Sequence, residues 1–422
     1  MKYISTLILL FGFISLSSQP TDGLLAYISY DSCDVREDFG TPGVLPEPNP
    51  NGLFGCECGV EGQALNFIKD GTEDSWFWIL GEVDDAFNTI DFTVSFYFKP
   101  RFSGPDNFVL LSKKADCNGT DNAFMVRFNP SSRVLNVDLN ETTTITGSVS
   151  TILPENLCWY HVTIVRKNTT TKLYLNGEFI AQGKSTSGQR VDISNDNAIF
   201  TVGASQCTSG FDTPFKGFMD ELRIYERALN DNEVQTLFSA PDQIGSGNSI
   251  TGVNDTTIFL GNFVDVFTTN SCADDILWFP TDGINPGDEI LPNPRITPTQ
   301  TTTYTVSFSD QFCVATDSLR ITVIDPDSLD CTKVFLPKAF TPNADGLNDN
   351  YGINNPYVIK DLISFDIYDR WGNRVFATTD PFEKWDGSFK GKAVNSAVFL
   401  YKVQFLCKGV EYVDSGSVTV LR

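Results

Sequence analysis

One histidine and three methionines are all that the 422 residues contain, and 30 Lys and Arg face 53 Asp and Glu, for a formal net charge of −23. So few cations exclude nucleic acid as a partner, because a polyphosphate is held by a basic surface that releases counterions. Any His-based catalytic triad would have to use His161, the sole histidine. A lone histidine inside the strand-like run Trp159 to Val165 reads as packing rather than as a general base. No Gly-x-Ser-x-Gly elbow and no phosphate-cradling glycine loop occurs. Long hydrophobic runs are missing too. Ile4 to Leu16 falls short of the ~20 residues of a spanning helix. With Lys2 before it and Ser17 and Ser18 after it, that run reads as a signal peptide over residues 1–18. The mature protein is expected to be soluble or surface-held and to have no membrane span.

What is present points to a large all-β chain. The 34 Phe, 13 Tyr and 6 Trp suit pleated, half-buried surfaces, and 422 residues exceed what one core usually holds. Ten Cys, an even number, fit an oxidising compartment and disulfides. Cys56-Glu57-Cys58 is spaced too tightly for a zinc pair. Residues 24–238 read as one domain: Phe92, Val94, Phe96 and Phe98 alternate with polar or smaller neighbours. Asn176-Gly177, between Leu175 and Phe179, supplies the positive φ angles of a two-residue hairpin turn. Asn230 with Glu233 forms a capping box before Val234 and Leu237, the one helix predicted. Gly, Pro and Ser over 239–254 mark a linker, a second domain follows at 243–325, and Pro326-Asp327-Ser328 marks the boundary before 331–422. Cys331 and Cys407 are the only cysteines of the last segment and are paired on that ground.

Three resemblances follow. Gly62-Gln63-Ala64-Leu65-Asn66-Phe67, Trp159-Tyr160-His161-Val162 and, above all, Phe218-Met219-Asp220-Glu221-Leu222-Arg223-Ile224-Tyr225-Glu226-Arg227-Ala228-Leu229 resemble the laminin-G-like, concanavalin-A-like jelly roll of secreted bacterial proteins. The 243–325 segment resembles immunoglobulin-like or PKD-like repeats of Bacteroidetes surface proteins, through Trp278-Phe279-Pro280 and Pro298 to Val306. Its order Cys272, Trp278, Cys313 is like that of an immunoglobulin-type sandwich, which implies a Cys272–Cys313 bridge. Phe340 to Asp349, Asp369-Arg370-Trp371-Gly372, Trp385-Asp386-Gly387 and the Gly416 to Arg422 strand are similar to the gliding-motility-associated C-terminal domain. That resemblance implies a type B sorting signal read by the type IX secretion machinery at the outer membrane, and a secreted or cell-surface protein. The fold expected overall is a jelly-roll sandwich, an immunoglobulin-like sandwich and a small C-terminal β-sandwich.

The chemistry on offer is sparse. Asn343, Asp345 and Asp349, with Gly346 between, place oxygen ligands at alternating positions as calcium loops do, but lack the bidentate Glu of an EF-hand. A plain Asx-rich turn competes with calcium there. Asp220 is a candidate ligand of a structural cation, since jelly rolls of this kind often carry one near the closing strand. The competing reading pairs Glu221 with Arg223 or Arg227 on the surface. Polysaccharide hydrolases of this architecture need Glu-x-Asp-x-x-Glu. Glu82-Val83-Asp84-Asp85-Ala86-Phe87 begins correctly and ends on Phe87, where the acid must stand. Trp76 and Trp78 are expected in the core with Phe77 on the opposite face, and a sugar or protein contact is the second reading. A non-enzymatic binding or adhesion protein follows, with a glycan or surface protein as ligand of residues 24–238. The rivals are a polysaccharide hydrolase with an unrecognised site and a purely structural gliding or adhesion component.

Overall fold

Alternating apolar residues along successive strands leave each strand one greasy face, and two sheets that bury those faces against each other account for the first half of the chain. The computed structural model describes residues 19–422 except 36–37, 41–44, 49–53, 70–72, 88–90, 102, 116, 118–121, 208–211, 247–254, 326–327 and 344; the expected signal peptide at 1–18 lies outside the described residues. A nine-stranded sheet runs in the order Glu178–Lys184, Thr170–Leu175, Tyr160–Lys167, Phe92–Pro100, Gly217–Tyr225, Leu24–Ile28, Phe39–Gly40, with Gln63–Asn66 and Gly55–Cys58 alongside. An eight-stranded sheet runs Val149–Ile152, Val134–Asn140, Ala123–Asn129, Asn107–Lys113, Phe200–Val202, Phe77–Leu80, Leu45–Pro48, with Asp212–Pro214 added parallel to Asn107–Lys113. Phe92, Val94, Phe96 and Phe98 from one sheet meet Phe124, Val126, Phe128, Leu135, Val137 and Leu139 from the other in a single core. The hairpin turn is as the sequence predicts, with Asn176 at φ 51° and Gly177 at φ 79°.

The capped helix forms at Asp231–Gln235, with both halves of the Asn230–Glu233 capping box made. A second short helix, Glu82–Ala86, was not predicted. It is followed by Phe87, which is buried against Phe92, Phe124 and Phe200.

The middle segment forms a three-stranded sheet (Ile244–Ser246, Val264–Thr268, Arg295–Ile296) and a four-stranded one (Thr256–Phe259, Val314–Ile324, Thr302–Ser309, Asp275–Phe279) around Trp278, whose indole N–H donates to the Leu291 carbonyl at 2.9 Å. Here the expected Cys272–Cys313 bridge is corrected. Cys272 bonds Cys58 and Cys313 bonds Cys158, so both cysteines reach into the jelly roll. The reason is a shared core: Val60, Ala64, Tyr97, Trp159 and Phe218 of the jelly roll cluster with Trp278, Tyr304, Val306 and Phe308. Around it, Lys99 pairs with Asp310, Phe218 meets the Phe312 ring, and the Arg101 guanidinium lies 4.2 Å over that same ring. The other bridges are Cys33–Cys56, Cys117–Cys207 and the expected Cys331–Cys407.

The last segment is a five-stranded sheet in the order Ala339–Phe340, Val410–Val420, Ala397–Cys407, Asp361–Tyr368, Arg374–Thr378, plus the small hairpin Ser388–Phe389 with Lys392–Ala393. Its core gathers Phe340, Tyr351, Phe365, Trp385 and Phe399.

Candidate functional site

Three places gather polar side chains. The first lies under the middle domain, on the outer face of the nine-stranded sheet. The closing strand Gly217–Tyr225 slips register between Asp220 and Arg223, and Glu221 sits at φ 55°, so consecutive carboxylates turn inward. Glu221 is gripped by Arg223 at 2.5 Å and by the Tyr27 hydroxyl at 2.9 Å, a buried pair rather than the surface pair of the sequence reading. Asp220 Oδ2 accepts the Val60 and Glu61 N–H groups at 2.7 and 3.3 Å, and among the described residues its Oδ1 is buried without a hydrogen-bond partner. Glycine is required in the loop that brings those donors in. A Cβ on Gly59 would stand 2.5 Å from Asp220 Oδ2, and one on Gly62 would stand 1.8 Å from Asp31 Oδ1.

Burial, then the adjacent Glu221 carboxylate, push the Asp220 carboxyl up to about 9 from its ordinary 3.8. The folded state therefore keeps a proton that the unfolded chain has lost between those values, and this group's contribution to stability falls as pH rises through that window. Asp220→Asn keeps an oxygen for the two N–H donors and removes the charge. It is expected to raise the melting temperature at pH 8 and to change it little at pH 4. Identical melting profiles for variant and parent across that range would contradict the assignment.

His161 lies on the same face, fully buried. Its Nε2 is 2.8 Å from Ser95 Oγ, which also accepts from the Thr163 hydroxyl, and its ring stacks on Tyr97. The Ser–His contact has the spacing of a nucleophile and base, yet His161 Nδ1 has no orienting partner among the described residues and both side chains are sealed from solvent. Burial, then Arg223, lower the imidazole to about 3. It packs as a neutral ring, as the sequence reading expects.

The second place is the outer face of the eight-stranded sheet. Phe124, Val126 and Phe128 point inward, so Met125, Arg127 and Asn129 point outward, and register sets Met125 opposite Asp138 and Arg127 opposite Asn136. Arg127 donates to Asp138 at 2.5 Å and to Asp212 at 3.4 Å; Asn107 donates to Asp212 at 3.3 Å, and Asn129 to Asn107 at 3.2 Å. The two aspartates hold the guanidinium above its ordinary value against the opposing effect of burial. Beside this network the 204–207 loop, tied down by Cys117–Cys207, covers Ser112 and Thr201. Sequence reasoning missed the network. The signal was there in the strand Ala123–Asn129, where period-2 alternation already sets Arg127 and Asn129 opposite the phenylalanines. At the far side of this sheet the core expectation for the tryptophans is reversed: Phe77 is buried, while Trp76 and Trp78 are half-buried on the outer side with ring centroids 5.2 Å apart. The Glu-x-Asp segment lies in the helix Glu82–Ala86, not on a strand, and Asp84 is committed to Lys113 at 2.9 Å.

The third place is the C-terminal domain. Asn343, Asp345 and Asp349 do converge, but their oxygens accept N–H groups: Asp345 from Leu347 and from the Asn343 amide, Asp349 from Asn343 and Gly346, Asn343 from Asp345. Among the described residues no three His, Cys, Asp or Glu side chains converge as a metal set. Asp369 caps its own turn, accepting from Trp371 and Asn373, and leaves Trp371 76% exposed with the Arg370 guanidinium 5.0 Å from its ring. Trp385 is the opposite case. It is buried, donates to the Ser388 carbonyl at 2.7 Å, and is followed by an Asp386 turn and by Gly387 at φ 73°.

Residues 79–235 match the family described as the concanavalin A-like lectin/glucanases superfamily, and residues 334–420 match the CHU_C type IX secretion signal domain. The chain thus carries a laminin-G-type jelly roll and a type IX secretion signal, and it is a secreted or cell-surface protein. No helix among the described residues is long and apolar enough to cross a membrane. No curated protein sequence matches the chain. Among solved structures it is similar to domain 4 of AbnA, a GH43 extracellular arabinanase from Geobacillus stearothermophilus in complex with arabinotriose (23% identity, 51% of this chain and 97% of that one, TM-score 0.37). It is also similar to the Ruminococcus gnavus IT-sialidase CBM40 bound to alpha2,3 sialyllactose (16%, 36% and 85%, 0.32) and to the botulinum neurotoxin serotype C1 binding domain (12%, 94% and 94%, 0.40).

Proposed function

We propose that this is a non-catalytic recognition protein whose jelly roll binds a carbohydrate on the outer face of its eight-stranded sheet and whose C-terminal domain commits it to type IX export. The Arg127–Asp138–Asp212–Asn107–Asn129 network carries the reading. It offers paired donors and acceptors on a rigid sheet, with Met125 at its floor, and sugar hydroxyls are matched by such sets of charged and amide groups. The half-buried Trp76 and Trp78 rings add a surface for the flat faces of sugar rings. The Glu-x-Asp segment supports a non-catalytic role, because its helix and the buried Phe87 leave no acid opposite a carboxylate.

A glycan array probed with the whole mature chain is expected to give hits that Arg127→Ala weakens about 10- to 100-fold, the loss of one charge-assisted hydrogen bond at ~1.5–3 kcal/mol. An empty array would turn the reading toward a purely structural adhesion component, and hits indifferent to Arg127 would move the binding off this face. Release of reducing ends would turn it toward a hydrolase. Calcium enters the proposal as a structural ion at Asp220 or at Asn343, Asp345 and Asp349. In both places it would have to compete with the N–H donors already bound. Its signature is a melting temperature that falls on EDTA treatment, and an unchanged one removes it. For export, we propose Trp371 on its Asp369 turn as the side chain the machinery touches, with Trp385, Asp386 and Gly387 holding the domain's shape.

A further inference from the structure

A second concave surface lies on the opposite sheet. Strands Tyr160–Lys167, Thr170–Leu175 and Glu178–Lys184 form the edge of the nine-stranded sheet, and the segment Leu229 to Asn232 at the start of the capped helix rises beside them. The trough between them has a volume of about 880 Å³, within the range of ligand sites. Register places Val165, Lys172 and Gln182 in one cross-strand row and Lys167, Thr170 and Lys184 in the next. Two strand spacings, about 10 Å, thus separate the backbones that carry Lys167 and Lys184.

Charge is what sets the trough apart. In a chain with a net charge of −23, its lining holds three lysines and a single carboxylate, Asp231. Asp231 is already spent: Lys172 Nζ donates to it at 2.9 Å and the Tyr174 hydroxyl at 2.6 Å. These bonds hold it below the ordinary carboxylate range. Lys167 and Lys184 have no side-chain partner among the described residues, although acidic side chains outnumber basic ones nearly two to one along the chain. The other lining groups, Gln182 and Asn232 among them, offer amide donors and acceptors. The walls are rigid, since the capping box and the cluster of Val165, Tyr174, Leu229, Val234 and Leu237 fix the helix against the sheet.

We infer that this trough binds an anionic saccharide chain, one bearing carboxylate or sulfate groups, with Lys167 and Lys184 each facing one anionic group and the amides meeting the hydroxyls between. The site is separate from the Arg127 face, and each can fail without the other. Such binding is electrostatic in its affinity and so falls with ionic strength.

The test uses the whole mature chain against oligogalacturonate, dextran sulfate and neutral dextran, by calorimetric titration at 50 and 300 mM NaCl. At low salt one or both polyanions are expected to bind and dextran not to; the two polyanion arms tell carboxylate from sulfate recognition. Lys167→Glu with Lys184→Glu is expected to weaken that binding at least tenfold with little change in melting temperature, while Arg127→Ala leaves it intact. Lys167→Gln with Lys184→Gln gives a second, milder pair should the reversal disturb folding. Absence of polyanion binding at 50 mM NaCl, or equal binding by the lysine variants, overturns the inference. So does lysine-dependent self-association without polyanion binding, which would assign the trough to an acidic face of a second copy.

Discussion

Replacing Cys58, Cys158, Cys272 and Cys313 together with serine is expected to lower the first melting transition by at least 10 °C and to split one calorimetric transition into two. The two bonds span sequence separations of 214 and 155 residues, and the loop-entropy account gives each roughly 5 kcal/mol, with typical measured values of about 2–5. For a domain of this size each kcal/mol moves the midpoint by about 2–4 °C. What remains without them is the shared apolar cluster, the Lys99–Asp310 pair and the Phe218–Phe312 contact. A single transition within about 3 °C of the parent would show that this interface holds the two domains together unaided. The consequence for function is geometric. The middle domain is bolted over the outer face of the nine-stranded sheet, burying His161, Tyr97 and Trp159. The faces left open for the proposed recognition are then the eight-stranded one and the far edge of the nine-stranded one.

Export should separate the two tryptophans of the sorting domain. Trp385→Ala empties a buried site packed against Phe340 and Phe399 and loses the hydrogen bond to Ser388. Its expected cost is about 3–5 kcal/mol. In a domain of ~90 residues that is about 12–40 °C of melting temperature, and delivery should fail because the domain is no longer folded. Trp371→Ala removes a ring that is 76% exposed and leaves the Asp369 turn intact. Here the melting temperature should stay within about 2 °C while delivery outside the cell falls severalfold, as expected of a contact residue. Unimpaired delivery of the Trp371 variant would move recognition elsewhere on the domain.

Local features were legible because they are fixed by neighbours in sequence. Phe92 to Phe98 alternate whatever lies beyond them, Asn176-Gly177 can make few other turns, and Asn230 with Glu233 caps its helix within a single turn. Cys331–Cys407 was legible by elimination within one domain. Cys272 and Cys313 were not, because their pairing is decided by which surfaces of two domains meet. Trp76, Phe77 and Trp78 show a different limit: period 2 puts Phe77 opposite the tryptophans, yet all three are apolar, so alternation alone does not say which side is the core. The Arg127 network was hidden by distance, since Asn107, Asp138 and Asp212 come together around Arg127 only once four strands have paired. Glu82–Ala86 is too short for a helical period to register.

The most direct test follows the tail itself: express the full chain and a chain ending at residue 330 in a host with type IX secretion, and measure the fraction of each found on the cell surface and in the medium. The full chain should be delivered and the truncated one held inside the outer membrane, folded and with its disulfides formed. Equal delivery of the two would contradict the assignment of residues 331–422 as the export address.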